Sequence, residues 1–306
     1  MKVLITGITG MIGAALSKHL KEQGHDVSGI SRDTSEARMS WYKHYLGDIL
    51  DKEFLKKTML NFKPDVVYHL AAQAFNGSSW EKEDTTYLVN IQGSKSVFEA
   101  CRDWTEARVI PACSSAEYGM IKLQPIKETQ QLNPISPYGV SKACMEMMGK
   151  QFALNYNMDF VFPRLFIHVG IGHPPATLIQ NLAKQFVLCL KNGDMMISHG
   201  NTNTIRDYVD IDDGVIALEL LMNSGVSGEV YNVCSGEPHG FREIINHFAE
   251  ISGVEYKGVI DARLIRRSDE EVLIGNPSKI NKLGWETKIP FKETLEKVFN
   301  DWKERI

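Results

Sequence analysis

The chain lacks any apolar run near the roughly 18 residues that a membrane-spanning helix requires. Its opening, MKVLITGITGMIG, is apolar but broken by glycines, and it lacks the cleavage-site pattern of a secretory signal. No membrane partner is expected, and a cytoplasmic location is. Cysteine is sparse: five residues, an odd number, with no CxxC pair. That argues against a disulfide framework or a zinc site, and for a reducing compartment. Cys113 reads as a small buried hydrophobe. Positive charge is not in excess either. The formal net charge is −4, which gives no electrostatic ground for binding nucleic acid or acidic lipid. No repeat, low-complexity tract or long linker interrupts the 306 residues, of which 43% are hydrophobic. A sizeable core is available without staples, in one two-lobed unit or two modest domains.

What is present is alternation. KVLITG, HDVSGIS, KPDVVYHLAA, ARVIPACSS and MDFVFPRLF are short apolar runs. Between them lie GAALSKHLKEQG, KEFLKKTMLNF, NIQGSKSVFEACRDW and KACMEMMGKQFALNYN, all with helical spacing. Near-continuous apolar strands alternating with helices imply a parallel sheet covered on both faces. Right-handed crossovers make this an α/β, Rossmann-type doubly wound sheet. After about residue 165 the rhythm changes, and a smaller C-terminal substrate-binding lobe is expected. The division assigns 1–165, with about 205–228, to the dinucleotide-binding domain, and 166–204 with 229–306 to the lobe.

TGITGMIG places Gly7, Gly10 and Gly13 between the first strand and the first helix. Glycines there allow a tight turn and let backbone approach a pyrophosphate seated on the helix N-terminus. Gly7, Gly10, Met11, Ile12 and Gly13 are therefore candidate cofactor residues. The second strand ends in Ser31 and Arg32. A guanidinium suits a ribose 2′-phosphate, so NADP is favoured; Asp33, next in the chain, keeps NAD open.

SPYGVSK, residues 136–142, offers Ser136 as a helix N-cap and Pro137 as the first helical residue. Tyr138 and Lys142 then lie on one face, one turn apart. Hydride transfer to a ketone needs a proton donor, and an ammonium near a phenol eases loss of its proton.

The glycine turn, GDI at 47–49, HLAA at 69–72, Asn90, SSAEYG at 114–119 and YGVSK at 138–142 together resemble the extended short-chain dehydrogenase/reductases. SPYGVSKA, IRDYVDIDD, VYNVCSG and RRSDEEVLIGNPSKINKLGW make the chain similar to the nucleotide-sugar enzymes among them, the GDP-6-deoxy-4-keto-mannose reductases and GDP-mannose 4,6-dehydratases. The resemblance covers essentially the whole chain. It implies a catalytic set of Ser114, Tyr138 and Lys142, with Lys142 also holding the nicotinamide ribose. It places Asp48 and Ile49 at the adenine, and Leu70, Ala71 and Ala72 along the phosphates and ribose. Asn90 would lie beneath the active site, and Pro163 to Phe166, with Leu165, against the nicotinamide. Ser115, Ala116, Glu117, Ile167, Arg206, Arg266 and Asp269 would face the nucleotide sugar, the two arginines on its diphosphate and Asp269 on a ribose hydroxyl. A homodimer built from two helices per subunit is also implied.

Two departures matter. Dehydratases carry Glu where this chain has Ala116, and a methyl group is no base; Glu117, one residue on, would face the other way in an extended segment. Ile167 stands where the family places Asn. The expectation is an NADP-preferring reductase of a 4-keto nucleotide sugar. A 4-epimerase or C4 dehydrogenase needs the same three residues and is the alternative, ahead of a 4,6-dehydratase or a non-catalytic dinucleotide sensor. His168 is expected to be structural, and His173 to lie at the pocket mouth.

Overall fold

The computed structural model describes residues 1–32, 42–173, 175–265 and 270–306. Strands β1 (Lys2–Thr6), β2 (Asp26–Ser31), β3 (Lys43–Leu46), β4 (Val66–His69) and β5 (Arg108–Pro111) form a parallel sheet in the order β3-β2-β1-β4-β5. Beyond Ala112 the chain continues as β6 (Cys113–Ser114), which pairs in parallel with β7 (Phe162–Leu165). This is the doubly wound architecture that the alternating pattern implies. Strand Val230–Val233 then pairs in parallel with β7. It forms a three-stranded sheet with β7 and β6, and it comes from the stretch 229–306. Helix Ile211–Ser224 precedes this strand, as a crossover helix would.

Period-two alternation explains why both faces of the sheet are covered. Val3 and Ile5 join one core cluster with Leu16 and Leu20 of helix Met11–Glu22 and Leu218 of helix Ile211–Ser224. Leu4, between them, joins the opposite cluster with residues of helices Lys52–Phe62, Ser94–Trp104 and Pro137–Tyr156. Each fully buried Leu or Ile contributes roughly 1.5–3 kcal/mol, so a register slip of one residue, which exchanges the faces, is strongly disfavoured.

The second half packs helices Leu178–Asn192, Phe241–Ser252 and Phe291–Arg305 around Phe186, Phe248 and Trp302. Short strands link this lobe to the sheet: Ile167–Val169 pairs with Tyr208–Asp210, and Ile205–Arg206 lies between His239–Gly240 and Val272–Leu273. All five cysteines are free, and Cys113 is buried as expected. Among the described residues no helix is long and apolar enough to cross a membrane.

Candidate active site

In a parallel sheet every strand delivers its next residue to the same edge, the carboxyl end. Gly7, Arg32, Asp48, Leu70, Ser114 and Leu165 all come from such ends. The glycine turn is closed by Gly7 N–H donating to the Ile30 carbonyl at 2.8 Å and Gly10 N–H to the Gly7 carbonyl at 3.0 Å. Gly7 has φ of +72°, and a Cβ there would lie 2.8 Å from the Ala71 backbone. At Gly13 a Cβ would meet the Gly7 carbonyl oxygen at 2.4 Å, whereas at Gly10 the nearest atom would be 3.3 Å away. Gly7 and Gly13 are thus required by the protein's own backbone, while Gly10 leaves room above the turn. Helix Met11–Glu22 begins without a side-chain cap or an acidic residue in its first turn. Its first N–H groups and positive dipole end suit a pyrophosphate, so the cradle fits a dinucleotide.

At the adenosine side, Ser31 is buried, its hydroxyl 2.8 Å from His44 Nε2. Arg32 is well exposed and 3.9 Å from the Asp48 carboxylate, whose other oxygen accepts Leu50 N–H. Asp33 lies outside the described residues, as do Arg266 and Asp269.

Helix Pro137–Tyr156 starts as its sequence demands: Ser136 Oγ accepts Gly139 N–H at 3.1 Å, with Pro137 next. Gly139 allows the first turn to sit against the Ser115–Glu117 turn, because a Cβ there would fall 2.5 Å from the Ala116 carbonyl oxygen. That close approach brings Tyr138 to Ser114, whose hydroxyl favours ionisation of the phenol. Lys142 is buried beneath, its Nζ donating to the Ala112 carbonyl at 2.7 Å and lying 5.8 Å from the Tyr138 ring centroid. Burial pushes the Tyr138 phenol up to about 12; Glu117 and Cys113 add to the shift, and the Ser114 hydroxyl opposes it. The lowering by Lys142 that the sequence suggests is not what governs the phenol here. One of the ammonium's three N–H groups goes to Ala112, and burial lowers its own pKa.

A polar chain that sequence reasoning missed supports this helix. Thr6 Oγ1 donates to His69 Nδ1 at 2.8 Å, and His69 Nε2 reaches Ser94 Oγ at 2.8 Å. Ser94 donates to the Asn90 carbonyl at 2.6 Å, so His69 must be the neutral Nε2–H tautomer. Burial holds its pKa down at about 3. Asn90 lies in a π-helical stretch, Leu88–Gly93. Its side chain clasps the Gln73 backbone and donates to Ser141 Oγ at 2.9 Å, and Ser141 donates to the Tyr138 carbonyl at 2.7 Å. HLAA contains the signal, since a histidine inside an apolar strand needs partners for both ring nitrogens.

The remaining candidate side chains sit in varied surroundings. Glu117 is fully buried and accepts Ser114 N–H, so it does not face a pocket. Arg164, within the stretch read as nicotinamide-facing, turns away to bond both oxygens of Glu146. Ser115 and Ala116 are buried at the turn, and Ile167 is exposed. Arg206 is buried, 3.5 Å from Glu270, with its Nη1 donating to the Ile205 carbonyl. His168 is structural: it lies 2.9 Å from the Phe166 carbonyl and occupies the space that Gly214 leaves. His173 stacks on Phe75 with ring centroids 6.1 Å apart.

A glycine cradle at a helix start, with serine, tyrosine and lysine converging past the next strands, defines a dinucleotide-dependent oxidoreductase of the extended short-chain type. Residues 4–298 match the family described as GDP-mannose 4,6 dehydratase. The chain belongs to that family, whose members are NAD(P)-dependent enzymes acting on nucleotide sugars. It is 27% identical over 311 residues to GDP-6-deoxy-D-mannose reductase of Pseudomonas aeruginosa, covering 100% of this chain and 98% of the relative. Among solved structures, RMD from Pseudomonas aeruginosa complexed with NADPH superposes with a TM-score of 0.89 at 25% identity, covering 100% of this chain and 99% of that one. UDP-glucose 4-epimerase of Thermotoga maritima with UDP-glucose gives 0.92 at 27% identity, covering 100% and 99%.

Proposed function

We propose that this protein is an NADP-preferring reductase of a 4-keto nucleotide sugar, GDP-6-deoxy-4-keto-mannose in the first instance. The observation that carries the reading is the convergence of Ser114, Tyr138 and Lys142 on a turn where Ala116 offers no base. When bound, the reduced dinucleotide supplies the hydride. The carbonyl electron pair then moves onto the C4 oxygen, and Tyr138 donates its proton there. A phenol near 12 is fully protonated at neutral pH, which is the form a donor needs. Ser114 steadies the oxygen as charge develops. Lys142 lies under the phenol and would hold the nicotinamide ribose. Gly7, Gly10 to Gly13, Leu70 to Ala72 and Leu165 would hold the dinucleotide, and the exposed Arg32 would meet a 2′-phosphate. Arg206, with Arg266, would hold the substrate diphosphate, and Asp269 a ribose hydroxyl. Lobe residues 166–204 and most of 229–306 would carry the nucleotide sugar.

The working form would be a cytoplasmic homodimer. Met147 and Leu154, 65% and 84% exposed on helix Pro137–Tyr156, offer apolar surface for the second copy. A C4 dehydrogenase or 4-epimerase reading is favoured by the same three residues and by the likeness to the Thermotoga enzyme. Absorbance of NADPH with purified protein and GDP-4-keto-6-deoxy-mannose tests the proposal. Rapid oxidation that disappears in Tyr138→Phe is the expected result; none with an authentic substrate sinks it.

A further inference from the structure

We propose that Glu117 is a positioning residue: its buried carboxyl clamps the backbone of Ser114 so that the serine hydroxyl is aimed at the substrate oxygen. The inference rests on the role given to Ser114 above. Two bonds hold the turn, and Glu117 makes the shorter one. Ser114 N–H donates to Glu117 Oε1 at 2.7 Å, and Ala116 N–H donates to Ser114 Oγ at 3.2 Å. The second bond occupies a lone pair of the serine oxygen from the protein side, which leaves its one proton free for the substrate oxygen. The first fixes the residue from which that hydroxyl projects.

The surroundings say which form of Glu117 does this. Its second oxygen, Oε2, has no hydrogen-bond partner among the described residues and lies 3.8 Å from Arg164 Nε. Arg164 is already committed, at 2.8 and 2.6 Å, to both oxygens of Glu146, and at 2.8 Å to the Tyr118 hydroxyl. Glu146 is also paired with Lys150 at 2.6 Å, whereas Glu117 Oε2 has only the distant Arg164 beside it among the described residues. Burial and the neighbouring Glu146 carboxylate both push the Glu117 pKa well upward. A neutral Glu117 also serves the chemistry. Tyr138 becomes a phenolate when it gives up its proton, and an ionised carboxylate nearby would oppose that. Glutamine is an isostere of the neutral form and keeps the acceptor for Ser114 N–H.

The test compares Glu117→Ala and Glu117→Gln with the wild type, in turnover and in hydrogen exchange of the Ser114 amide. Glu117→Ala is expected to lower kcat about ten- to hundredfold, since small misplacements of a reacting group cost that much. KM and dinucleotide affinity should stay within about twofold, because no binding contact is removed. The Ser114 amide should exchange faster in Glu117→Ala, and Glu117→Gln should restore both kcat and protection. Equal loss of kcat in the two variants overturns the proposal, because it would mean that the charge is required. So does a Glu117→Ala enzyme with unchanged kcat or unchanged Ser114 exchange. If Glu117→Ala does not fold, a folded Glu117→Gln decides: wild-type protection and rate support the clamp, and their loss overturns it. Amide exchange needs no substrate, so it tests Glu117 even where the wild type leaves the keto sugar untouched, an outcome that counts against the proposed reaction instead.

Discussion

The two halves of the site are built by different means. On the dinucleotide side the backbone does most of the work. Gly7 and Gly13 let one strand, one helix and the Ala71 segment approach within 3 Å of where a Cβ would stand, and the helix start needs no side chain. On the sugar-nucleotide side the candidates are long side chains on two- and three-residue strands, such as Arg206 on Ile205–Arg206. That side is held by pairs rather than by register: Arg206 faces Glu270 at 3.5 Å. The lesson is that a backbone-built site tolerates almost no substitution at a few positions, whereas a side-chain-built site is retuned one residue at a time.

The sharpest break in this comparison comes where the halves meet. Tyr138→Phe removes the proton donor, and turnover is expected to fall by about 10²–10⁴ with dinucleotide affinity kept. Dye-free absorbance assays and dinucleotide titration check both. On the backbone side, Gly13→Ala should cost about 3 kcal/mol of stability, since the clash is with backbone that cannot move aside. Gly10→Ala should cost less, its contact with the Gly7 carbonyl oxygen being 3.3 Å rather than 2.4 Å. Equal melting temperatures for the two would contradict the distinction.

The polar chain under Tyr138 supplies a pH test. His69 has a pKa of about 3 in the fold against 6.5 ordinarily. The unfolded chain therefore takes up this proton first as pH falls. Its stabilising contribution is complete above 6.5 and is lost as pH drops toward 3. Acidifying from pH 7 to 5 should cost roughly 2 kcal/mol through this group. Urea midpoints measured across that range should flatten in His69→Gln; an unchanged slope would remove His69 as the cause. The smallest effect belongs to the side-chain-built half. Arg206→Lys should raise KM for the nucleotide sugar about tenfold, because Lys cannot reproduce the guanidinium fork. An unchanged KM, read from initial rates, would detach Arg206 from the diphosphate.

Legibility follows the same division. The glycine turn, the strand–helix alternation and the helix start at Ser136-Pro137 obey local rules of steric freedom, periodicity and capping, and they could be read directly. Glu117 and Arg164 could not. Glu117 folds back onto the Ser114 amide at the end of its own turn, and Arg164 turns to Glu146 in another element. His69 was within the quoted motif, but only its partners Thr6 and Ser94 reveal its tautomer and its neutrality.

By itself the sequence determined the class of fold and the family, and it pointed to Tyr138 as the proposed proton donor, because those depend on residue type at short, fixed spacings. Only the tertiary structure decided which charges are buried together, that burial rather than Lys142 governs the Tyr138 phenol, and that strand Val230–Val233 forms a sheet with β7 and β6. Desolvation and strand pairing are sums over neighbours distant in the chain, and no local spacing encodes them.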